Sequence, residues 1–523
     1  MDNWVSIGAD RRSLRTLHEQ AARAAAGFAS LGVRRGDAIA IILRNDFPFI
    51  EASIGAGLLG AYVVPINWHN TPDEARHVIE DCGTQVIVAH ADLLEALDGT
   101  LPPDVPVIGV PTPPMLAEAY GLAPSNTLVP PDTLDWHAWL AGFAPLQPPF
   151  ETAPGSMIYT SGTTGRPKGV RREPPTPEQT QASLATSRLV GGLAGEENMD
   201  EIVLLIPGPA YHSSPNGWMF SFLRLGANLV VQPRFDAEAL LQDIEMHRVS
   251  HLLAVPTMFV RLLALPESMK RRYDLSSLRF VMHVGAPCPP HVKHAMIDWF
   301  GPIITEHYGS TEVGAVTLCT AEEWLAHPGT VGRVLPGVDL EIFDAEGRPL
   351  PVGQTGQIAC RRQVYADFTY HGDETKRQRA ARGDLIATGD MGYLDEAGFL
   401  YLNGRDSDMI IFGGSNIYPA EIEHELMRIP GVVDCAVFGI PHPEYGEQVC
   451  AFIQLDEHAA LDARAILAAL QPRLASYKLP RHIEMVDSLP REDTGKIFKR
   501  KLKEPFWQSG GDALRIRKEP HST

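Results

Sequence analysis

The sequence has no C-x-x-C pair. Its six cysteines (Cys82, Cys288, Cys319, Cys360, Cys435 and Cys450) are scattered singly, which argues against a zinc site and a disulfide framework and fits a reducing compartment. A long apolar run is also missing. The most apolar segment, 52–66, is broken by Gly60 and Pro65 and is shorter than the roughly 20 residues a membrane-spanning helix needs. Positive charge is in deficit, with 45 Lys and Arg against 64 Asp and Glu and a net charge of −19. Such a surface disfavours nucleic acid, and an anionic ligand has to be held by local cations against the global field. The N-terminus lacks an apolar signal core and the chain does not end in a peroxisomal tripeptide, so a cytoplasmic setting is expected. The Walker spacing G-x-x-x-x-G-K-[ST] is absent as well, which removes the main support for a P-loop nucleotidase.

What is present is a globular composition, 44% apolar and 21% charged over 523 residues, too long for one hydrophobic core. Segments 157–170 read MIYTSGTTGRPKGV. A short strand ending at Thr160 runs into Ser161, Gly162, Thr163, Thr164 and Gly165, then Arg166, Pro167 and Lys168. Glycines let backbone N–H groups approach an anion, hydroxyls add donors and the lysine adds charge, so the loop suits phosphate. Upstream, apolar residues at helical spacing over 14–31 and 49–59 alternate with apolar runs at 38–43, 62–66 and 85–89. That alternation predicts a parallel sheet covered by helices. Segment 101–149 is rich in proline and without clear period, and it reads as surface wrapping. Further strands are expected at 201–207, 252–255 and 280–284, and a run of short strands with glycine turns from 331 to 402 predicts a β-barrel-like unit.

The loop TSGTTGRPKG resembles the phosphate loop of the adenylate-forming (AMP-binding) superfamily, and further motifs follow in that superfamily's order: Gly285-Ala286-Pro287, Tyr308-Gly309-Ser310-Thr311-Glu312, Thr388-Gly389-Asp390, Gly404-Arg405 and the Thr494-Gly495-Lys496 loop. The resemblance covers about residues 12–503 and is nearest to acyl-CoA synthetases. It implies an α/β fold. A large domain of stacked, helix-covered sheets would span 1–404, its barrel-like part about 331–404, with a hinge at 405–408 and a small mobile α+β domain at 409–523 carrying the catalytic lysine.

The resemblance implies an ATP-dependent acid–CoA ligase using Mg2+, which activates a carboxylic acid, fatty for preference, as an acyl-adenylate and passes it to coenzyme A. Aryl or alicyclic acids, or a carrier protein as acceptor, are the alternatives. By resemblance the nucleotide is held by Thr160, Ser161, Gly162, Thr163, Thr164, Gly165, Lys168, Gly285, Ala286, Pro287, His307, Tyr308, Gly309, Asp390 and Arg405. Thr311 would meet the α-phosphate, and Glu312 with Thr160 would hold the metal. Lys496 would bridge carboxylate and nucleotide. Gly413 and Gly414 would line the path of coenzyme A, and His212, Ser214, Trp218, Gly309, Val313 and Gly314 the acyl pocket, with His212 at its gate. Amino-acid-activating relatives place an aspartate in the segment matching 207–218, and here it holds no acid at all. An ammonium group would stay unpaired there, so a plain carboxylic acid is expected. Ser213, Ser214 and Asn216 are read as donors for a ring substituent. Arg171 and Arg172 replace a more usual helix entry and are read as a solvated basic turn outside the site. Ser407 stands where relatives mostly carry a charged hinge residue. No nucleic acid and no integral membrane segment are expected, and a homodimer is left open.

Overall fold

The computed structural model describes residues 3–97, 99–160, 167–412, 415–456, 459–491 and 497–508. Two large sheets carry parallel strands. One has the order Tyr62–Pro65, Ala38–Ile42, Thr84–His90, Val107–Val110, Leu134–Asp135. All five residues of Ala38–Ile42 are buried, as an unbroken apolar strand covered on both faces should be. The last two strands come from the segment read as surface wrapping. Val107–Val110 is only four residues long and flanked by Pro106 and Pro111, too short to show a period, yet it extends the sheet.

The second sheet runs Trp4–Ile7, Asn228–Val231, Val203–Ile206, His251–Ala254, Phe280–His283, Ile304–Ser310 with these six strands parallel. At Ile304–Ser310 it turns antiparallel and continues through Gly314–Cys319, Thr330–Val334, Phe399–Arg405, Leu385–Leu394, Gly356–Arg362 and Val338–Phe343. The glycine-rich β unit is therefore joined edge to edge with the parallel sheet. A three-stranded antiparallel sheet, Ile158–Thr160, Lys168–Arg172 and Phe368–Tyr370, crosses between the two halves.

Helices start where the sequence supplies caps. Thr71 and Glu74 make a reciprocal capping box ahead of Pro72–Asp81, and the Asp462 side chain accepts from Ala465 N to open Ala463–Leu470. The C-terminal part builds its own sheet, with Gly446–Leu455 between Val432–His442 and the parallel His482–Val486, and Ile410–Phe412 linking Ser415–Ile417 to its edge. Among the described residues, no helix is long and apolar enough to cross a membrane. All six cysteines are free, and five are buried.

Candidate active site

Because Val203–Ile206, His251–Ala254, Phe280–His283 and Ile304–Ser310 are parallel, their carboxyl ends open along one edge. Crevices at such edges are where open α/β sheets take ligands. His283 is in register with Glu306, so Gly285-Ala286-Pro287 leaves its strand beside His307 and Tyr308. Gly285 has φ +87, a left-handed backbone that favours glycine.

Ile304–Ser310 carries the centre of the site. Tyr308 is 8% exposed, and its hydroxyl donates to Asp390 Oδ2 at 2.7 Å and lies 3.0 Å from Thr388 Oγ1. Burial, then the neighbouring Asp390 charge, pushes this phenol well above its ordinary pKa. Arg405 Nε approaches Asp390 Oδ1 at 3.0 Å, and the two residues face each other across paired strands. Three motifs that are distant in sequence thus meet in one knot. The Thr388-Gly389-Asp390 segment lies inside the Leu385–Leu394 strand with Gly389 at φ +79.

The Thr311-Glu312 turn is tight. A Cβ on Gly309 would sit 2.1 Å from the Gly314 carbonyl oxygen, so only glycine fits. From across the crevice Arg172 grips this turn, its Nη2 donating to the Thr311 carbonyl at 2.8 Å and to the Glu312 carbonyl, its Nη1 to the Ala366 carbonyl at 2.7 Å. This corrects the reading of Arg172 as part of a solvated turn. Lys168–Arg172 is a strand, and Arg172 shares the face of buried Val170 two residues before it. Arg171, on the other face, lies over the Tyr62 ring at 4.7 Å. Tyr370 joins this turn as well, without a sequence signal of its own. Its hydroxyl donates to Glu312 Oε1 at 3.0 Å. Lys376 lies 4.1 Å over the Tyr370 ring, and burial lowers the pKa of its ammonium, with Glu312 opposing that shift.

Lys168 faces Asp81 at 3.3 Å, where the Tyr159 hydroxyl also donates at 2.7 Å. Thr160 is half-buried and paired with Lys168 across the hairpin. Ser161, Gly162, Thr163, Thr164, Gly165, Gly413, Gly414 and Lys496 lie outside the described residues. His212 precedes the helix Ser213–Leu225, its ring 4.1 Å from that of Tyr211. That helix takes up the second half of 207–218, the segment without an acid. Trp218 is 9% exposed and stacks on Phe222 at 5.3 Å in the core, and Val313 is buried. Asn216 is not available to a ring substituent, as was expected of it, because its Oδ1 accepts from Ser156 and its Nδ2 donates to the Ala210 carbonyl.

Beneath the site lies a charge that sequence reasoning did not single out. Lys293, 0% exposed, places Nζ 2.7 Å from Glu306 Oε2, and His283 Nε2 is 3.5 Å from the same oxygen. Burial pushes the His283 pKa well below its ordinary value and that of His307 down to about 4 from 6.5. As pH falls through 6.5 these groups take up protons in the unfolded chain first. The unfolded state then binds more protons, and stability is lost progressively between about 6.5 and about 4. Urea unfolding followed at several pH values across that window should show this slope, and His307→Gln should flatten it.

The Thr311-Glu312 turn also presents a group suited to Mg2+. Glu312 Oε2 accepts no hydrogen bond among the described residues, while Oε1 is oriented by Tyr370. No described cluster of three His, Cys, Asp or Glu exists. One oriented carboxylate fits an ion that is held mainly by phosphates and water.

The AMP-binding enzyme family matches residues 3–366, and the AMP-binding enzyme C-terminal domain matches residues 421–496. The fatty acid–[acyl-carrier-protein] ligase ScoC of Streptomyces coeruleorubidus is 30% identical, over 95% of this chain and 92% of its own length. A feruloyl-CoA synthase of Amycolatopsis sp is 30% identical over 94% of this chain and 93% of its own. The crystal structure of ATP-bound MatB from Rhodopseudomonas palustris superposes with a TM-score of 0.81 at 26% identity, covering 97% of this chain and 96% of that one.

Proposed function

The chain belongs to the AMP-binding enzyme family, and from that premise we propose how its residues divide the work. The enzyme is an AMP-forming acid–CoA ligase, with ATP and coenzyme A as co-substrates. An oxygen of the acid attacks the α-phosphorus of ATP, and the bond to the β-phosphate oxygen breaks. Pyrophosphate leaves with that electron pair and an acyl-adenylate remains. The thiol of coenzyme A then loses its proton, its sulfur attacks the acyl carbon and AMP departs.

Asp390, fixed by Tyr308 and Arg405, receives the ribose hydroxyls, a task suited to an acceptor with two oxygens. The residues of 160–165, with Lys168, Gly285, Ala286, Pro287, His307 and Gly309, enclose the rest of the nucleotide. Thr311 meets the α-phosphate. Glu312, with Thr160, would hold Mg2+, and the ion would supply neutralisation of triphosphate charge as pyrophosphate leaves. Lys496 bridges the acid and the nucleotide. Residues 405–408 act as a hinge on which 409–523 turns, withdrawing Lys496 and bringing Gly413 and Gly414 to the thiol. His212 closes the acyl side, where Ser214, Trp218, Val313 and Gly314 contribute. The observation that carries this reading is the Tyr308–Asp390–Arg405 knot beside a Thr311-Glu312 turn held by Arg172 and Tyr370.

The acid is a plain carboxylic acid, since 207–218 supplies no counter-charge for an amine. An aliphatic acid is favoured over an aryl or alicyclic one, in line with the fatty-acid ligase among the relatives, and coenzyme A over a carrier protein as acceptor. The setting is the cytoplasm, where free thiols persist, and one chain carries every group named.

Pyrophosphate release across a panel of fatty, aryl and alicyclic acids, each with and without coenzyme A, tests the assignment. Turnover requiring both an acid and coenzyme A is expected. Release that ignores coenzyme A and responds to an acyl-carrier protein would replace the acceptor. Asp390→Asn should raise the KM for ATP by about tenfold, the loss of one charged hydrogen bond, as measured by ATP titration at saturating acid.

A further inference from the structure

Three arginines converge on one tyrosine at the border of the site. Arg172 and Arg362 lie over the Tyr365 ring at 4.6 and 4.4 Å, and Arg224 interacts electrostatically with Tyr365. Among the described residues none of the three has a carboxylate partner. Arg172 spends its donors on backbone carbonyls, Arg362 gives Nη2 to Thr186 Oγ1 at 2.5 Å, and Arg224 makes no hydrogen bond among the described residues. Acids are close by in sequence, and the neighbouring Arg361 pairs with Asp384 at 3.3 Å. The arrangement therefore leaves guanidinium N–H groups of Arg224 and Arg362 unspent.

Both are crowded and still reachable. Arg224 is exposed, yet burial lowers its pKa, and the half-buried Arg362 is shifted likewise, with Arg172 adding repulsion. Geometry joins them: Thr186, which accepts from Arg362, adjoins Ser187, whose Oγ is 3.3 Å from that of Ser221, one helical turn before Arg224, so the two side chains border one crevice. A cation in the last turn of a helix is favoured by the helix dipole, which accounts for Arg224 in part. It does not account for Arg362, nor for a cluster of three cations in a chain of net charge −19.

The crevice has a direction. Ser214, Gly217, Ser221 and Arg224 are spaced by three, four and three residues, so they share one face of Ser213–Leu225. A Cβ on Gly217 would meet nothing within 4 Å, so this face is open at its middle. Ser187 flanks it, with its Oγ 3.3 Å from that of Ser221. Arg362 Nη1 lies 3.1 Å from where a Gly314 Cβ would stand, just past the Thr311-Glu312 turn. From Ser214 to Arg224 the helix rises roughly 15 Å at about 1.5 Å per residue.

We propose that Arg224 and Arg362 receive a second anionic group, a carboxylate or sulfonate, carried at the far end of the acid substrate. The enzyme would thereby prefer acids charged at both ends. This deepens the ligase reading and rests on it. Arg362 offers a planar fork to such a group and Arg224 meets it from the helix end, the geometry in which guanidinium outperforms ammonium. The cluster keeps a cost of desolvation that an anion offsets.

The test compares an α,ω-diacid of about ten to twelve carbons, which spans the roughly 15 Å, with the monoacid of equal length, in the full-length enzyme and in Arg224→Gln and Arg362→Gln. The ratio of kcat/KM for diacid over monoacid, read from pyrophosphate release, should fall roughly tenfold to a hundredfold in each variant. Calorimetric titration of the same diacid should show weaker binding to Arg224→Gln, an exposed position where misfolding is not at issue. An unchanged ratio with unchanged diacid binding overturns the proposal while leaving the ligase reading intact. A rise in the KM for coenzyme A at constant ratio assigns the arginines to coenzyme phosphate, and overturns it too. If neither acid is adenylated the ligase reading fails with them, and the titration still decides whether the crevice takes a dianion.

Discussion

Replacing Lys496 by alanine is expected to slow acyl-adenylate formation by about 10²–10³-fold, the scale on which removal of one preorganised transition-state donor is felt. Thioester formation from chemically prepared acyl-AMP should stay within a few-fold of the unsubstituted enzyme. The asymmetry follows from where charge develops. During attack on the α-phosphorus, negative charge accumulates between the incoming carboxylate and the nucleotide, and an ammonium positioned there is stabilising only in that step. In the second step the acyl carbon is the centre, and on the proposed hinge 409–523 would have turned so that Gly413 and Gly414 replace the lysine. Rapid-quench measurement of each half-reaction separates the two. Equal losses in both would remove Lys496 from its role and with it the argument for a hinge at 405–408.

Lys293→Met is expected to destabilise the protein by about 3–5 kcal/mol, because it leaves Glu306 buried without its counter-ion. The Lys293→Met/Glu306→Gln double variant should recover much of that loss, since a pair replaced together leaves no lone charge. Urea unfolding followed by tryptophan fluorescence reads both, and Trp324, 4.8 Å from Lys293 Nζ, reports locally. The effect should reach the chemistry as well. Glu306 immediately precedes His307 and Tyr308, and a strand that shifts at Glu306 carries Tyr308 away from Asp390, which it now meets at 2.7 Å.

The parts of this protein that were legible in the sequence are those whose signal is local. The alternation of apolar runs with helical periods foretold the parallel sheets, and Thr71 with Glu74, or Asp462 ahead of Ala463, are caps whose partners lie three residues away. The phosphate-loop, Tyr308 and Asp390 motifs stood out because glycines recur in them at short spacing, and the structure brings Tyr308 and Asp390 together. Arg172 was misjudged for the opposite reason. Its partners, the carbonyls of Thr311 and Glu312, are 139 and 140 residues away, and two arginines before a run of prolines look the same whether they face water or a turn. Tyr370 meets Glu312 across 58 residues and no motif surrounds it. Val107–Val110 was hidden by its shortness and its flanking prolines. Trp218 stacks on Phe222 at 5.3 Å, a packing that spacing along the chain does not give.

Membership of the AMP-binding enzyme family implies chemistry at the α-phosphorus. Enzyme supplied with ATP, coenzyme A and an acid labelled with ¹⁸O in both carboxylate oxygens decides this by mass spectrometry of the products. One labelled oxygen is expected in AMP and none in pyrophosphate, because the attacking oxygen stays on phosphorus when the thiol cleaves the acyl bond. Label in inorganic phosphate, with ADP as the nucleotide product, would mean attack at the γ-phosphorus and would contradict the acyl-adenylate route.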